Sequence, residues 1–533
     1  MKKTITALYV IICLLCTQLC AQEQQTFANP ILSGFYPDPS ICRVGEDYYM
    51  VNSSFEWFPA LPIHHSYDLV NWELIGYGID DPEKLELKEG LKSSGGIFAP
   101  TIRHHDGLYY IIVTNVFGNN TFYITATDPR GEWSTPKIIE GAEGIDPSLF
   151  WDDDGRCYLT ATAKLRDTPQ WQFQKSIWGQ EFDPVEGKLI GERVELTTGH
   201  ASNAIWTEGP HIYKVDGKYI LLISEGGTEY GHGITQFHSN SVLGKYTPHQ
   251  INPILTHRHL GKDSHIAATG HADIVETQNG EWWMVALATR YFDGYNYLAR
   301  ETFLVPMVFE ETIGELGIIV NPSKGQILSE ERLPNLTPHP FASENPRDNF
   351  NGTTLAPLWN MLRTPHETWW SINNGELTLD TRKATASDLS NPSLLAQRIT
   401  DIEFTATTAL RFNPKDKNEE AGIILYRNDK NYIVLSKTKD KIQGYYLIDG
   451  TRIEAGEIKA PKGNTTILEM HSDGKDVTLY VGEKKLPIAT SIPLNVIATR
   501  NGGEFNGTMI GLYTTSNGIE SSLKAKFEYF TLE

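Results

Sequence analysis

The sequence predicts an all-β chain, a five-bladed β-propeller followed by a β-sandwich. Three observations carry this. Long helical periodicity is scarce, and short runs of alternating apolar and polar residues are broken by Asp-Gly and Asn-Gly turns. One strand–turn–strand pattern recurs five times at intervals of about 45–65 residues, the spacing of four-stranded propeller blades. The pattern fades near Glu311, and a second set of short strands begins after a stretch rich in Pro, Ser, Asn and charge.

Length and composition bound the rest. The 533 residues suit two or three domains. Net charge is -20, and no Lys/Arg run offers the cationic patch that a phosphate backbone requires, so nucleic acid is not an expected partner. Lys2, Lys3 and the apolar run Ile5 to Leu19, ending at Ala21, read as a signal peptide over 1–21. The run is short for a spanning helix. An exported protein is expected, periplasmic, cell-surface or secreted, with no membrane span in the mature chain. Three of the five cysteines fall in that leader, and Cys42 and Cys157 remain as two buried thiols rather than a disulfide framework.

The five copies open alike. They begin at Phe35-Tyr36-Pro37-Asp38-Pro39-Ser40, Ile97-Phe98-Ala99-Pro100-Thr101, Ile145-Asp146-Pro147-Ser148, Trp206-Thr207-Glu208-Gly209-Pro210 and Gly270-His271-Ala272-Asp273. Each is followed by a tight turn and, in most copies, an aromatic strand. The innermost strand of a blade runs beside the propeller axis, so the openers Asp38, Ala99, Asp146, Glu208 and His271 are expected at one end of it. This places the propeller at 22–322, a linker at 323–347 and the sandwich at 348–533. Strands of the sandwich are expected at Trp369 to Ile372, Phe404 to Phe412, Gly422 to Tyr426, Tyr432 to Leu435, Thr465 to Met470, Val477 to Val481 and Met509 to Tyr513.

Three carboxylates converging on one funnel suit glycosidic cleavage. One carboxyl protonates the leaving oxygen, a second activates water or attacks carbon, and a third keeps the acid protonated by like-charge repulsion. Read singly, Asp38 and Asp146 are turn residues of the common Asp-Pro dipeptide, and Glu208 is a loop acid. Their shared register argues otherwise.

The same residues carry a resemblance. Asn29-Pro30-Ile31 with Gly34 to Ile41, Ser54-Phe55-Glu56-Trp57-Phe58-Pro59, Gly96 to Pro100, Ile145 to Ser148, Thr207 to Pro210, Glu225-Gly226-Gly227-Thr228 and Gly270 to Asp273 resemble, in order, glycoside hydrolase family 43. The region from about 348 resembles the concanavalin-like (jelly-roll) C-terminal domain of its β-xylosidase branch. The resemblance implies an inverting mechanism, with Asp38 as general base, Glu208 as general acid and Asp146 as the carboxylate that raises and orients the acid. It implies that Arg300, in Leu298-Ala299-Arg300-Glu301-Thr302, binds sugar hydroxyls, with Arg290 as the alternative. It places His271 at the pocket base, and Phe55, Trp57 and Phe98 in the pocket wall. No cofactor is required for the chemistry. A structural calcium ion, held by His271 through water, is implied as an option, although hard cations prefer oxygen ligands.

The resulting expectation is an exo-acting enzyme that releases α-L-arabinofuranose or β-D-xylose from hemicellulose fragments, with a slight lean to arabinose. Three alternatives compete: an endo-acting arabinanase or xylanase on the same propeller, a carbohydrate-binding protein of weak catalysis, and a retaining fructosidase. Retention of all three acids counts against the binding protein. The opener Pro-Asp-Pro-Ser differs from the Asn-Asp-Pro-Asn usual in the fructosidase.

Overall fold

The computed structural model describes residues 25–118, 120–342, 345–461, 463–498 and 505–533. The expected signal peptide lies outside them. Among the described residues, no helix is long and apolar enough to cross a membrane.

Five antiparallel sheets, each built on four strands, follow one another along the chain. Their innermost strands are Ser40–Val44, Thr101–His105, Ile145–Trp151, Glu208–Val215 and Ile266–Glu276. Neighbouring inner strands touch in sequence, and the fifth touches the first, so the sheets form a closed ring of five blades. Blade 2 carries an extra short piece, Gly96–Ile97, on its second strand. Radial repetition leaves only short strand edges, at the axis and at the rim. Separate apolar clusters fill the spaces between blades, among them one built from Ile220, Ile274, Met284 and Val305.

The axis is polar. Asp273 accepts hydrogen bonds from Ser40 Oγ at 2.7 Å, from Arg103 Nη1 at 2.7 Å and from Tyr213 OH at 2.5 Å. Arg103 Nη2 lies 3.0 Å from His211 Nδ1, which also receives Ser148 Oγ at 2.9 Å. One network thus joins the inner strands of all five blades. Burial alone would raise the Asp273 carboxyl, and the Arg103 guanidinium overcomes this and holds it far below the usual range.

The chain start closes the ring. Thr26–Ala28 pairs with Glu330–Arg332, and Asn29 exchanges side-chain hydrogen bonds with the backbone of Leu304. The stretch 323–347, expected as a linker, is therefore not a free one. Its strand Glu330–Arg332 forms a separate two-stranded sheet with Thr26–Ala28, and Arg332 pairs with Glu281 of blade 5. Pro, Ser and Asn signalled loop correctly but could not signal an edge strand whose partner lies about 300 residues away.

The second domain stacks a six-stranded sheet on an eight-stranded one. It shares an apolar core with the propeller: Phe35, Phe55 and Trp57 pack with Leu394, Tyr426 and Met509. Met361–Leu362 pairs with Trp57–Phe58 across the boundary. Arg398 Nε donates to Phe35 O at 2.7 Å, and Arg363 Nε to Leu91 O at 3.0 Å. Glu56 is buried in this interface, where it receives Ser94 N at 3.0 Å and Asn506 Nδ2 at 2.9 Å. Burial pushes its carboxyl up to about 7.

Two predictions follow from these buried charges. Arg103→Met leaves Asp273 without its cation and should cost about 3–5 kcal/mol of stability in chemical denaturation; a loss below about 1 kcal/mol would contradict the axial role. Glu56 is raised in the fold from an ordinary value of 4.5 to about 7, so the fold favours its neutral form. Its contribution is fully present below pH 4.5 and is lost as pH rises to about 7. Glu56→Gln should therefore remove roughly 2–3 kcal/mol of the stability decline between those pH values; parallel wild-type and variant curves would rule this out.

Candidate active site

All five blade openers line one cavity of about 520 Å³ at the axis. Local backbone explains how they point inward. Asp38, Asp146 and His271 have φ of 52°, 56° and 44°, the left-handed region that Asp tolerates better than most residues. Register breaks fall between Ile145 and Ser148, Glu208 and His211, and Gly270 and Ala272. Such bulges re-aim side chains beside a site. Gly209, at φ 60°, is needed here, since a Cβ on it would lie 3.1 Å from the His271 ring.

Asp38 is buried and well partnered. It accepts Ser53 Oγ at 2.6 Å and Arg300 Nη1 at 2.9 Å, with His271 Nδ1 at 3.9 Å. Burial alone would raise its carboxyl, but Arg300, His271 and the Ser53 hydroxyl together lower it. Asp38 is therefore held as a carboxylate. Asp146 is the opposite case. Burial, then the charges of Glu208 and Asp38, push it well above the carboxylate range, although Gly209 N donates to it at 3.1 Å. Asp146 is therefore held toward its neutral, protonated form.

Glu208 is the more open acid, its side chain 20% exposed at the pocket mouth, with His232 Nε2 at 3.6 Å from Oε1. His232 is buried, and its Nδ1 faces Ala268 O at 3.3 Å. Gly270 makes room for it, because a Cβ there would sit 2.0–2.3 Å from the ring.

Arg300 reaches the cavity as expected, bound to Asp38 and, through Nη2, 3.3 Å from Phe505 O. Arg290 does not. It forms a two-pronged pair with buried Glu301 at 2.7 Å on both arms, which holds the strand. Phe55 and Phe98 line the cavity, but Trp57 is a correction. Phe55 has φ 48°, which breaks the alternation that would have put both rings on one face. Trp57 instead packs edge-on against Tyr426 of the second domain at 5.9 Å, fully buried.

Four wall residues had not been assigned from sequence. Phe505 enters from the second domain, its ring 5.8 Å from Phe55 and from Phe98, and its backbone N donates to Ser94 Oγ at 2.9 Å. Trp206, Thr228 and Glu229 come from loops of blade 4. Thr228 and Glu229 sit at the end of the Glu225–Thr228 motif and could have been read there; Phe505 lies in no motif.

The surroundings of His271 do not fit a calcium cage. The carboxylate nearest it, Asp38 at 3.9 Å, is committed to Arg300 and Ser53, and farther along the axis Asp273 is committed to Arg103, Ser40 and Tyr213, so guanidinium groups supply the positive charge in both places. Among the described residues, the three-donor grouping His238, His249 and Glu315 lies on outer parts of blades 4 and 5 instead. No chemical step is assigned to a metal.

Comparison with known proteins agrees with this geometry. The profile of "Glycosyl hydrolases family 43" matches residues 27–312, and that of "Beta xylosidase C-terminal Concanavalin A-like domain" matches residues 347–533. A xylosidase/arabinosidase of Butyrivibrio fibrisolvens is 39% identical over 517 residues, covering 95% of this chain and 99% of its own. A non-reducing end alpha-L-arabinofuranosidase of Bacteroides ovatus is 35% identical over 530 residues, covering 95% and 94%. The crystal structure of xylan beta-1,4-xylosidase from Bacillus halodurans C-125 superposes with a TM-score of 0.88 at 32% identity, covering 95% of this chain and all of that one. With its acids gathered in one pocket and both of its domains matched, the chain belongs to glycosyl hydrolases family 43 and is a glycoside hydrolase.

Proposed function

We propose that the enzyme is an exo-acting, inverting pentosidase that removes terminal α-L-arabinofuranose or β-D-xylose from hemicellulose fragments. The observation that carries this is the division of labour among three acids in one walled pocket. Asp38 is ionised and ringed by Arg300, His271 and Ser53, as suits a base that takes a proton from water. Glu208 stands at the mouth, where the leaving oxygen departs, and serves as the acid. Asp146, raised by burial and by the charges of its neighbours, stands beside Glu208 and orients it.

Pocket shape supports action on a chain end or side branch. Phe505 of the second domain faces Phe55 and Phe98 of the propeller and walls one side. An open groove would suit internal cleavage, and a one-sided pocket suits a terminal residue. The curated relatives of highest coverage are named for xylose, arabinose or both, which supports a pentose in this pocket.

Initial rates on aryl β-D-xylopyranoside and aryl α-L-arabinofuranoside, measured side by side, test the sugar. A tenfold preference, about 1.4 kcal/mol in transition-state binding, would name it, and no turnover of either would defeat the pentosidase reading. Roles are tested separately. Asp38→Ala should lose roughly 10²–10⁴-fold on every substrate. Glu208→Ala should lose as much on oligosaccharides but far less on aryl glycosides with activated leaving groups. Equal losses on both would remove Glu208 from the acid role.

A further inference from the structure

We infer that Trp206 and Phe173 form a shelf for the leaving side of the substrate, on which the pyranose ring next to the cleaved bond rests. This deepens the pentosidase reading and depends on it for the identity of the sugar. Trp206 lines the cavity two residues before Glu208. The pocket floor at Asp38, Arg300 and His271 takes the terminal sugar. Glu208 must reach the glycosidic oxygen, so the residue being left behind lies on the Glu208 side, which is where Trp206 stands.

The two rings are kept in water by design of the backbone. Trp206 is 37% exposed and Phe173 45% exposed, yet they stack at 4.6 Å between centroids with planes 21° apart. They come from different blades: Phe173 from the loop between Cys157–Ala163 and Ser176–Asp183 of blade 3, Trp206 from the loop entering blade 4. Trp206 N donates to Phe173 O at 3.1 Å and joins the loops. Both residues have positive φ, 52° and 62°, a conformation bulky side chains seldom adopt and one associated with functional sites.

Further ties hold the shelf in place. Trp171 Nε1 donates to Ala204 O at 2.6 Å, and Gly226 N to Ile205 O at 2.9 Å. His200 N donates to buried Glu225 at 2.7 Å. Gly227, at φ 73°, lets the Trp206 ring approach, since a Cβ there would lie 3.1 Å from Cδ1. Paired aromatic rings left exposed at a pocket rim have no packing purpose. They fit the apolar C–H face of a sugar ring, with Lys175 Nζ, 5.9 Å from the Trp206 ring centre, placed to meet its hydroxyls.

The test compares wild type, Trp206→Ala, Trp206→Phe and Phe173→Ala. Turnover is measured on xylotriose against β-D-xylopyranosyl fluoride, and on arabinofuranosyl-xylotriose against α-L-arabinofuranosyl fluoride. A fluoride has no ring on the leaving side. The ratio of kcat/KM for oligosaccharide over fluoride should fall tenfold or more in Trp206→Ala, chiefly through KM, and threefold or more in Phe173→Ala. Trp206→Phe should recover most of it. A ratio within twofold of wild type in both alanine variants overturns the shelf while leaving the pentosidase reading intact. The same substitutions are made in a Glu208→Gln background, and binding of both oligosaccharides is measured by titration calorimetry. Weaker binding there supports the shelf even if no pentoside is turned over, an outcome that would defeat the proposed activity alone. Unchanged binding in that case overturns the shelf as well.

Discussion

The contact between Arg103 and Asp273 on the propeller axis is the constraint on which the site depends. Five inner strands cannot meet at a point through apolar side chains alone, because their pleat also brings polar groups to the centre. Arg103 and Asp273, with Ser40, Ser148, His211 and Tyr213, satisfy one another there. Ser40, Ser148 and Asp273 follow Asp38, Asp146 and His271 by two residues, just past the left-handed positions and bulges that turn the openers into the cavity. The axial layer fixes the heights of the inner strands, and the catalytic layer inherits its geometry from them.

Charge is arranged on the same plan. Below, a guanidinium neutralises the axial acid. Above, Arg300 holds Asp38 in its charged form, while burial and the charges of Glu208 and Asp38 raise Asp146. The placement of one arginine thus decides which of the two buried aspartates is ionised. The second domain completes the enclosure. Phe505 is tied to Ser94, its neighbour Asn506 to Glu56, and Arg300 reaches its carbonyl. The same arginine that holds Asp38 therefore also holds the wall.

Much of this was legible in the sequence because it repeats. Asp38, Asp146, Glu208 and His271 could be placed together from register alone, and Ala99 marks the blade whose opener brings no polar side chain to the cavity. Arg300 required a motif. Trp57 was expected in the wall from the resemblance alone, and the left-handed backbone at Phe55 turns the chain so that Trp57 faces the second domain instead. Phe505 had no signal, since its role arises only when a loop of one domain meets a pocket of another. In the sandwich, each expected run contains a strand, but several strands, Ser393–Arg398, Lys441–Ile448 and Lys524–Leu532 among them, were not anticipated, and neither was Thr451–Lys459. It is a sheet edge, rich in charge where an interior strand would be apolar, and charge on an edge is how pairing with other chains is prevented. Trp206 was visible as the start of a repeat, but its exposure was not.

The central claim is that Asp38 activates water across the sugar from Glu208. It is tested most directly by following hydrolysis with proton NMR and reading the anomer released before mutarotation. The arrangement predicts that the free pentose first appears with the anomeric configuration opposite to that of the substrate. First appearance of the same configuration would mean a covalent intermediate on a carboxylate, and would contradict the assignment of Asp38 as a base.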